Sequence, residues 1–227
     1  MTLPEPAVTL EAVAFAHAGS RVFSDLTLDI ASAAVTAVVG ANGSGKSTLL
    51  ELIAGVLRPD RGRVRHGPTE VALAPQRSQV TDTFPITVAE AVAMGRWRRL
   101  GLLRRQSADD RAIVDHWLKT FELQDLRRRR LGALSGGQRQ RVLLAQAFAQ
   151  QSAIVALDEP TTGLDADATA IVLEEVSRLA RSGTTVVLAT HDTDLATACD
   201  TCVMLARDAP PRSGAPADVL RTAGRLR

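Results

Sequence analysis

One stretch decides the fold of this chain: Gly40-Ala41-Asn42-Gly43-Ser44-Gly45-Lys46-Ser47. It follows the apolar run Val35 to Val39 and precedes a segment with helical character, Thr48 to Val56. A buried strand, a glycine-rich loop and a helix in this order provide the context that the pattern G-x-x-x-x-G-K-[S/T] requires. An ordinary glycine-rich turn needs neither the lysine and serine nor the two flanking elements. The stretch therefore predicts a phosphate-binding loop.

The residue types in this loop suit a nucleoside triphosphate. Glycines let backbone N–H groups point inward around phosphate oxygens. The helix that follows directs the positive end of its dipole at the same anion. The Lys46 ammonium suits the β- and γ-phosphates, and the Ser47 hydroxyl is placed to ligate Mg²⁺. We therefore predict a site for a nucleoside triphosphate with Mg²⁺.

Composition limits the classes of protein that this chain can be. It has 227 residues, of which 45% are hydrophobic, enough for one large α/β domain or a domain with an insertion. The formal net charge is only +2 and the charges are interspersed, so no nucleic-acid partner is indicated. No apolar run approaches the roughly 18 residues that a membrane helix needs. Because Met1 to Glu11 also lacks the pattern of a signal peptide, we expect a cytosolic protein.

Apolar runs and segments of helical periodicity alternate along the chain, which is typical of a mostly parallel α/β sheet. The pattern predicts strands at Val8–Phe15, Val22–Ile30, Val35–Val39, Val64–Arg65, Val71–Ala74, Ile154–Leu157, Thr185–Ala189 and Cys202–Leu205, the first of them forming an antiparallel edge. It predicts helices at Thr48–Val56, Val88–Met94, Ala108–Phe121, Gly136–Gln150, Asp167–Arg181 and Asp192–Ala198, with a short one from Pro216. Arg58 to Gly62 is interpreted as a break and Asp208 to Gly214 as a loop.

We interpret residues 1–227 as a single domain in two parts. Residues 77–150 show helical periodicity and no strong strand pattern, so they are predicted to form an inserted helical subdomain. The α/β core is then formed by 1–76 and 151–227.

Two acids follow the apolar run Ile154 to Leu157. In a P-loop protein that hydrolyses nucleotides, an acid at the end of such a strand reaches the Mg²⁺ shell, and we assign that role to Asp158. Glu159, one residue further on, can act as general base and polarise the attacking water. The simpler alternative is a solvated acidic turn, which the P-loop makes less attractive.

The segment Leu134-Ser135-Gly136-Gly137-Gln138 precedes a long helical stretch. Ser135 is a good N-cap, and the two glycines permit a ligand to approach the backbone closely. Taken alone, this segment is equally compatible with a simple helix start and with a ligand site. Together with the P-loop and the tandem acids, it favours the ligand site.

The two cysteines, Cys199 and Cys202, have C-x-x-C spacing, which is compatible with a redox or metal site. A thioredoxin-like motif lies at a helix N-terminus. Here Cys199 follows a predicted helix and Cys202 begins a predicted strand. We therefore favour thiols that pack as small apolar groups.

With these motifs, the chain resembles the nucleotide-binding subunit of an ABC transporter from about Val8 to Leu205. The family's motifs occur in order as the Walker A loop (Gly40–Ser47), the Q-loop glutamine (Gln76), the ABC signature (Leu134–Gln138), Walker B (Ile154–Asp158) with the catalytic glutamate (Glu159), the D-loop (Thr162–Asp165) and the switch histidine (His191). The signature separates this family from other P-loop ATPases.

The resemblance implies an ATPase that couples ATP hydrolysis to transmembrane transport. Two cassettes are expected to pair head to tail, so that each ATP lies between the Walker A loop of one and the signature of the other. The implied catalytic residues are Glu159, His191, Lys46 and Gln76, and the implied Mg²⁺ ligands are Ser47, Gln76 and Asp158. The implied ATP contacts are His17, Gly40, Ala41, Asn42, Gly43, Ser44, Gly45, Lys46, Ser47 and Thr48 in one chain and Leu134, Ser135, Gly136, Gly137 and Gln138 in its partner. The implied functional residue of the D-loop is Asp165.

One position departs from the family pattern. The family usually stacks an aromatic side chain, often tyrosine, on adenine, whereas this chain has no tyrosine and has His17 at that position. Imidazole offers a smaller flat face, so we predict weaker discrimination between bases. The alternative is that His17 is a turn residue without ligand contact.

The helical insert indicates the cargo. Thr83 to Val88, Met94 to Arg96 and Leu100 to Arg105 are similar to cassettes of metal-ion importers. The resemblance implies zinc first, manganese second and iron chelates third, with a homodimer of cassettes bound to permease subunits on the cytoplasmic face of the membrane. An extracellular or periplasmic binding protein would deliver the metal, and the cassette itself would not touch it. A soluble ABC ATPase of DNA repair or translation is the alternative from another class, although those usually carry a coiled-coil insertion or a second cassette.

Four residues of the insert are candidates for contact with the permease. Phe84, Pro85, Met94 and Trp97 are predicted to line a groove that receives a permease helix, and packing within the subdomain is the alternative. The run Arg127 to Arg130 is predicted to be a solvated surface turn, with attraction to anionic lipid as the alternative.

Overall fold

The computed structural model describes residues 6–67, 70–76, 85–97, 106–207 and 209–223. Its strands are β1 (Val8–His17), β2 (Ser20–Ile30), β3 (Val35–Val39), β4 (Arg61–His66), β5 (Val71–Ala74), β6 (Ile154–Asp158), β7 (Thr185–Ala189), β8 (Thr201–Ala206) and β9 (Ala209–Gly214). Its helices are α1 (Lys46–Ile53), α2 (Val88–Met94), α3 (Ala108–Thr120), α4 (Gly136–Ala149), α5 (Ala166–Arg181), α6 (Thr193–Thr197) and α7 (Pro216–Ala223). Within these residues, no helix is long and apolar enough to cross a membrane.

The strands form two sheets. The larger has six strands in the order β5-β6-β7-β3-β8-β9, and all neighbours are parallel except β8 and β9. The smaller is antiparallel, in the order β2-β1-β4. Every residue of β3, β6 and β7 is buried, as expected for central strands covered on both faces. The predicted mostly parallel sheet with an antiparallel edge is therefore confirmed.

Helix α1 is packed between the two sheets. Leu49, Leu50, Leu52 and Ile53 are at most 2% exposed and belong to one apolar cluster with the inward side chains of β1 and β2. The prediction placed this helix at Thr48 to Val56, two residues too late at its start and three at its end. The start was misplaced because the loop residues Lys46 and Ser47 already have helical hydrogen bonding.

The opposite face of the large sheet is covered by α5 and by the helices of the insert. Trp117, Phe121 and Phe148 pack against one another, with ring centroids 5.1 to 6.0 Å apart, and join the apolar cluster that includes Val155 and Val186 of the sheet. This shared cluster fixes α3 and α4 against the sheet. The boundaries proposed for the helical subdomain, 77–150, stay a prediction.

Side chains cap three helices of the insert. Thr87, Ser107 and Ser135 each accept a hydrogen bond from the backbone N–H three residues on and form a capping box with Glu90, Asp110 and Gln138. In addition, the N–H groups of Val88 and Ala89 donate to the carbonyls of Arg129 and Arg127. The arginine run thus has a backbone role at the start of α2, and all four of its residues are exposed, as predicted for a surface turn.

Two predicted boundaries near the antiparallel edge were wrong. Arg61 and Gly62 were included in a break, but they begin β4, since Arg61 pairs with Ala14 across a register shift in β1. The first strand was predicted to end at Phe15, but β1 continues to His17, which pairs with Ser20.

The segment predicted as a loop after β8 is a strand. Residues Ala209 to Gly214 form β9, which pairs antiparallel with β8 through Cys202 and Gly214 and through Met204 and Arg212. Pro210 and Pro211 suggested a loop because proline cannot donate to a sheet. At the edge of a sheet, however, an N–H that faces outward needs no strand partner, so prolines are tolerated there.

The two cysteines are packed as apolar groups. Cys202 lies in β8 with no exposed surface, and the Cys199 thiol donates to the Leu195 carbonyl at 3.3 Å. Burial raises the pKa of Cys199 to about 12 and that of Cys202 to about 11. The thiolates that redox or metal chemistry requires are therefore not formed at neutral pH.

Candidate functional site

The P-loop is held at the start of α1 by close backbone packing. Gly45, the N-cap, has φ +96°, and a Cβ there would stand 2.7 Å from the Phe23 ring of β2 and 2.8 Å from Val22. Lys46 is 8% exposed, and its Nζ donates to the carbonyl oxygens of Gly40 at 2.9 Å and Ala41 at 3.2 Å. The ammonium is thereby curled inside the loop.

The carboxyl end of β6 brings two acids to this loop. Asp158 is 4% exposed and accepts a hydrogen bond from the Ser47 side chain. Burial raises the pKa of Asp158 and the nearby Glu159 raises it further, whereas the Ser47 hydrogen bond and the Lys46 charge lower it. Strands β6, β7 and β3 are neighbours and run parallel, so their carboxyl ends meet at one edge of the sheet. This arrangement brings Asp158 close to both Ser47 and Lys46.

Glu159 is held in an unusual backbone conformation. Its φ is +50°, its N–H donates to the Ala189 carbonyl at 3.0 Å, and its Oε2 lies 2.8 Å from Nδ1 of His191. The Thr162 hydroxyl donates to the same carboxylate oxygen at 3.1 Å. The predicted base and the predicted switch histidine are thus in direct contact.

A cleft of about 500 Å³ is lined by the P-loop, Asp158 and Glu159, and His191 is not among its described lining residues. Its lining includes the predicted residues His17, Asn42, Gly43, Gly45, Lys46, Ser47, Thr48, Gln76, Asp158 and Glu159. The cleft is also lined by four residues that were not predicted from the sequence: Ser20, Arg21, Val22 and Arg207. They come from the start of β2 and from the end of β8, the strand next to β3.

His17 faces the cleft but is not free. Its Nε2 lies 3.3 Å from the Thr48 hydroxyl, and its ring stands nearly perpendicular to Phe15, at 86° and 4.8 Å between centroids. The ring is therefore oriented by Thr48 and Phe15 at the entrance to the P-loop.

The signature residues lie elsewhere. Ser135 caps α4, accepting from the Gln138 N–H at 3.3 Å, while its own N–H donates to Gln138 Oε1 at 3.0 Å. None of Leu134 to Gln138 is among the described residues that line the cleft. Asp165 likewise caps α5, accepting from the Ala168 N–H at 2.8 Å.

The residues of the cleft fit a nucleoside triphosphate with Mg²⁺. The Ser44 hydroxyl is buried in the loop without a hydrogen-bond partner among the described residues, so it has a proton to offer to an anion. Lys46 supplies a full positive charge. The Ser47 hydroxyl and the Asp158 carboxylate are adjacent oxygen donors, the type of ligand that Mg²⁺ prefers.

Comparison with known proteins assigns the family. A family model described as "ABC transporter" matches residues 23–162. The chain is 36% identical to the manganese transport system ATP-binding protein MntA of Synechocystis sp. over 217 residues, 91% of this chain and 84% of that protein. It is 33% identical to the zinc uptake system ATP-binding protein ZurA of Listeria monocytogenes over 191 residues, 79% of this chain and 74% of that protein.

A solved structure has the same fold. It is titled as an inward-facing conformation of a putative metal-chelate type ABC transporter, and it matches with a TM-score of 0.81 and 30% identity over 94% of this chain and 84% of the other. The family that the motifs indicated is therefore confirmed. This chain belongs to the ABC transporter family, as one of its ATP-binding cassettes, which are ATPases.

Proposed function

We propose that this chain is the energy-coupling ATPase of an ABC importer for a divalent transition-metal ion. The observation that supports the ATPase role most directly is the pairing of Glu159 with His191 at 2.8 Å, next to Lys46 and Asp158. A general base, a neighbouring imidazole, a phosphate-binding cation and a carboxylate for Mg²⁺ are the parts that phosphoryl transfer to water requires.

Lys46 and the loop bind and orient the triphosphate in this proposal. The ammonium bonds two backbone carbonyls, Gly40 and Ala41, and phosphate oxygens are stronger acceptors because they are charged. Ser47, Asp158 and Gln76 would hold Mg²⁺, which neutralises charge on the phosphates. Ser44 donates its buried hydroxyl to the same anion.

Glu159 takes the proton from the attacking water. Its carboxylate is fixed by His191 and Thr162, so its basic oxygen has a defined position before substrate arrives. His191, whose side chain is 69% exposed, stabilises charge that develops on the γ-phosphate. Exclusion of water beyond the attacking one requires that the open side of the cleft be covered.

A second copy of this chain is the proposed cover. The signature lies outside the cleft of its own chain, yet its helix, α4, presents a capped N-terminus with two glycines, a backbone suited to an anion. In a head-to-tail homodimer, the signature of one chain reaches the ATP bound by the other. ATP then closes the dimer, and hydrolysis opens it.

We propose that an apolar groove of about 550 Å³ receives a helix of the permease. The groove is lined by Ala54, Val56, Val71, Leu73, Pro75, Ile86, Ala91, Met94, Gly95, Leu131, Leu143, Gln146 and Gln150, from the α1 end, β5, α2 and α4. An amphipathic helix binds such a groove through its apolar face. Of the residues predicted for this role, Met94 is in the lining, Pro85 and Trp97 are exposed outside it, and Phe84 lies outside the described residues.

The proposed cargo rests on the relatives. One is a manganese transport protein, another a zinc uptake protein, and the solved structure is of the metal-chelate type. The identities of 36% and 33% differ too little to select a metal, so zinc, the first choice from the sequence, stays a prediction beside manganese. The cassette would be peripheral on the cytoplasmic face of the membrane, and a binding protein would deliver the metal to the permease.

Cellular metal content tests this proposal. Glu159→Gln is introduced into the native host, and a second strain carries the matched control Glu174→Gln, on the exposed face of α5. Both strains are grown under metal limitation. A selective fall in zinc or manganese with Glu159→Gln alone supports import of that metal. Unchanged content of every metal, with the variant abundant and bound to ATP, contradicts metal import and favours the non-transport ABC ATPases.

A further inference from the structure

Helix α4 contacts the loop that carries Glu159 in the same chain. Gln140, in the second turn of α4, is 2% exposed, and its Nε2 lies 3.5 Å from the carbonyl oxygens of both Glu159 and Pro160. One turn earlier, Gly137 lies so close to Gly163 that a Cβ would stand 2.8 Å from the Gly163 carbonyl oxygen. The helix that begins with the signature therefore contacts both ends of the loop from Glu159 to Gly163.

The backbone of Glu159 needs such support. A φ of +50° is rare for a residue with a Cβ, and a conformation of this kind persists only where surrounding contacts impose it. Within the loop, the Thr162 N–H donates to the Glu159 carbonyl at 3.1 Å. Gln140 adds a donor from outside the loop, shared between two carbonyls.

The Gln140 contacts are long, and each is weak alone. The amide is nevertheless buried, so its N–H groups have no water to replace these carbonyls. An apolar side chain of the same length would remove the donor and leave the Pro160 carbonyl without it. Of the two contacts between α4 and the loop described above, the one at Gly137 would then remain.

We propose that Gln140 is a positioning residue that fixes the Glu159 loop to α4, so that the signature and the general base of one chain move as a unit. This inference rests on the head-to-tail dimer proposed above. In that dimer, the signature serves the ATP of the partner, whereas Glu159 acts on the ATP of its own chain. Gln140 therefore couples the two ATP sites through a single chain.

The first test separates positioning from binding. Gln140→Met keeps the length of the side chain and removes its donors; Gln140→Glu keeps the size and places a carboxylate against the two carbonyls. Because Gln140 does not line the cleft, the KM for ATP stays unchanged in both. The kcat falls about 100-fold, since a misplacement of about 1 Å costs roughly that factor. Gln124→Met, at an exposed position, is the control that keeps full activity.

Mixed dimers then test whether Gln140 acts on the base of its own chain. In the first mixture, the Gln140→Met chain meets a large excess of a Glu159→Gln chain, so the competent base belongs to the chain that lacks Gln140. In the second, the wild-type chain meets a large excess of a chain carrying both substitutions. Here the competent base keeps its Gln140, and only the signature that faces it is altered. Wild type with excess Glu159→Gln is the reference.

We expect the first mixture to hydrolyse ATP about 100-fold more slowly than the reference, because its competent base is misplaced. We expect the second mixture to match the reference. Equal rates in the first mixture and the reference would overturn the proposal. Equal slowing in both mixtures would also overturn it, since Gln140 would then support the signature rather than the base. A reference mixture that stays monomeric with ATP in light scattering would instead refute the dimer itself, and with it the coupling.

Discussion

The ion pair of Arg96 with Asp110 is expected to stabilise the cassette measurably. The two side chains are 4% and 9% exposed, and Nε of Arg96 donates to Oδ1 of Asp110 at 2.9 Å. The Ser107 hydroxyl and N–H, followed by the Arg96 guanidinium, lower the pKa of Asp110 from 3.8 to about 2. At 1.36 kcal/mol for each pKa unit, this lowering corresponds to stability on the order of 2 kcal/mol at neutral pH, with the Ser107 hydrogen bonds as its largest cause and the Arg96 ion pair as a smaller one.

Asp110→Asn removes the charge and leaves the Arg96 guanidinium buried with a neutral partner. Breaking a buried pair in this way costs about 3 kcal/mol or more. For a chain of this length, a loss of about 3 kcal/mol lowers the Tm by roughly 6 to 12 °C. Thermal unfolding followed by circular dichroism measures this shift. The exposed pair that Asp115, on the same helix as Asp110, forms with Arg127 at 3.1 Å supplies the control, because Asp115→Asn should cost at most about 1 kcal/mol.

The pH dependence of the unfolding free energy provides a second test. The folded-state pKa is below the unfolded value, so the contribution of Asp110 is complete above pH 3.8 and is lost as the pH falls toward about 2. The difference in unfolding free energy between the wild type and Asp110→Asn should be constant from neutral pH to mild acid and shrink below pH 3.8. A difference no larger than that of Asp115→Asn at neutral pH would show that the charge of Asp110 does not stabilise the fold, as would a difference that does not shrink in acid.

Three further predictions concern other parts of the molecule. His17→Tyr should tighten ATP binding and increase the preference for ATP over GTP in a fluorescence titration, because the larger ring offers more stacking area; unchanged or weaker ATP binding would contradict this. Met94→Glu, which puts a charge in the apolar groove, should leave the ATPase activity of the purified cassette unchanged and abolish transport by the assembled complex, and normal transport would argue against docking there. Cys199 and Cys202, with pKa values raised by burial to about 12 and 11, should resist alkylation by iodoacetamide at neutral pH in the folded chain and react after unfolding; mass spectrometry distinguishes the two results.

Most of the fold could be predicted because local patterns coincided with burial. The runs that became β3, β6 and β7 are continuously apolar, and the structure buries every residue in them. Helix α2 begins and ends where predicted, since Thr87 and Glu90 form a capping box that is legible in sequence. Strand β9 was missed because its prolines are acceptable only at a sheet edge, and edge position is a property of the whole sheet.

The candidate site was predictable to the extent that its residues sit in contiguous motifs. Arg21 and Arg207 are outside any motif and reach the cleft only because β2 and β8 pack beside the P-loop. Gln140 was missed for a similar reason. Its carbonyl acceptors are 19 and 20 residues away along the chain, and the contact exists only when α4 packs on the end of β6. Such contacts depend on tertiary packing, which periodicity does not encode.

Glu159 is proposed as the base for ATP hydrolysis in a cleft completed by a second copy of this chain. ATP turnover and ATP-dependent association of purified Glu159→Gln, measured in parallel, test both parts of this proposal. Since a positioned general base contributes roughly 100- to 10,000-fold, turnover should fall by at least about 100-fold while ATP converts the chain to a stable dimer. Turnover near that of the wild type would show that Glu159 is not the base, and a chain that stays monomeric with ATP bound would show that no second copy completes the cleft.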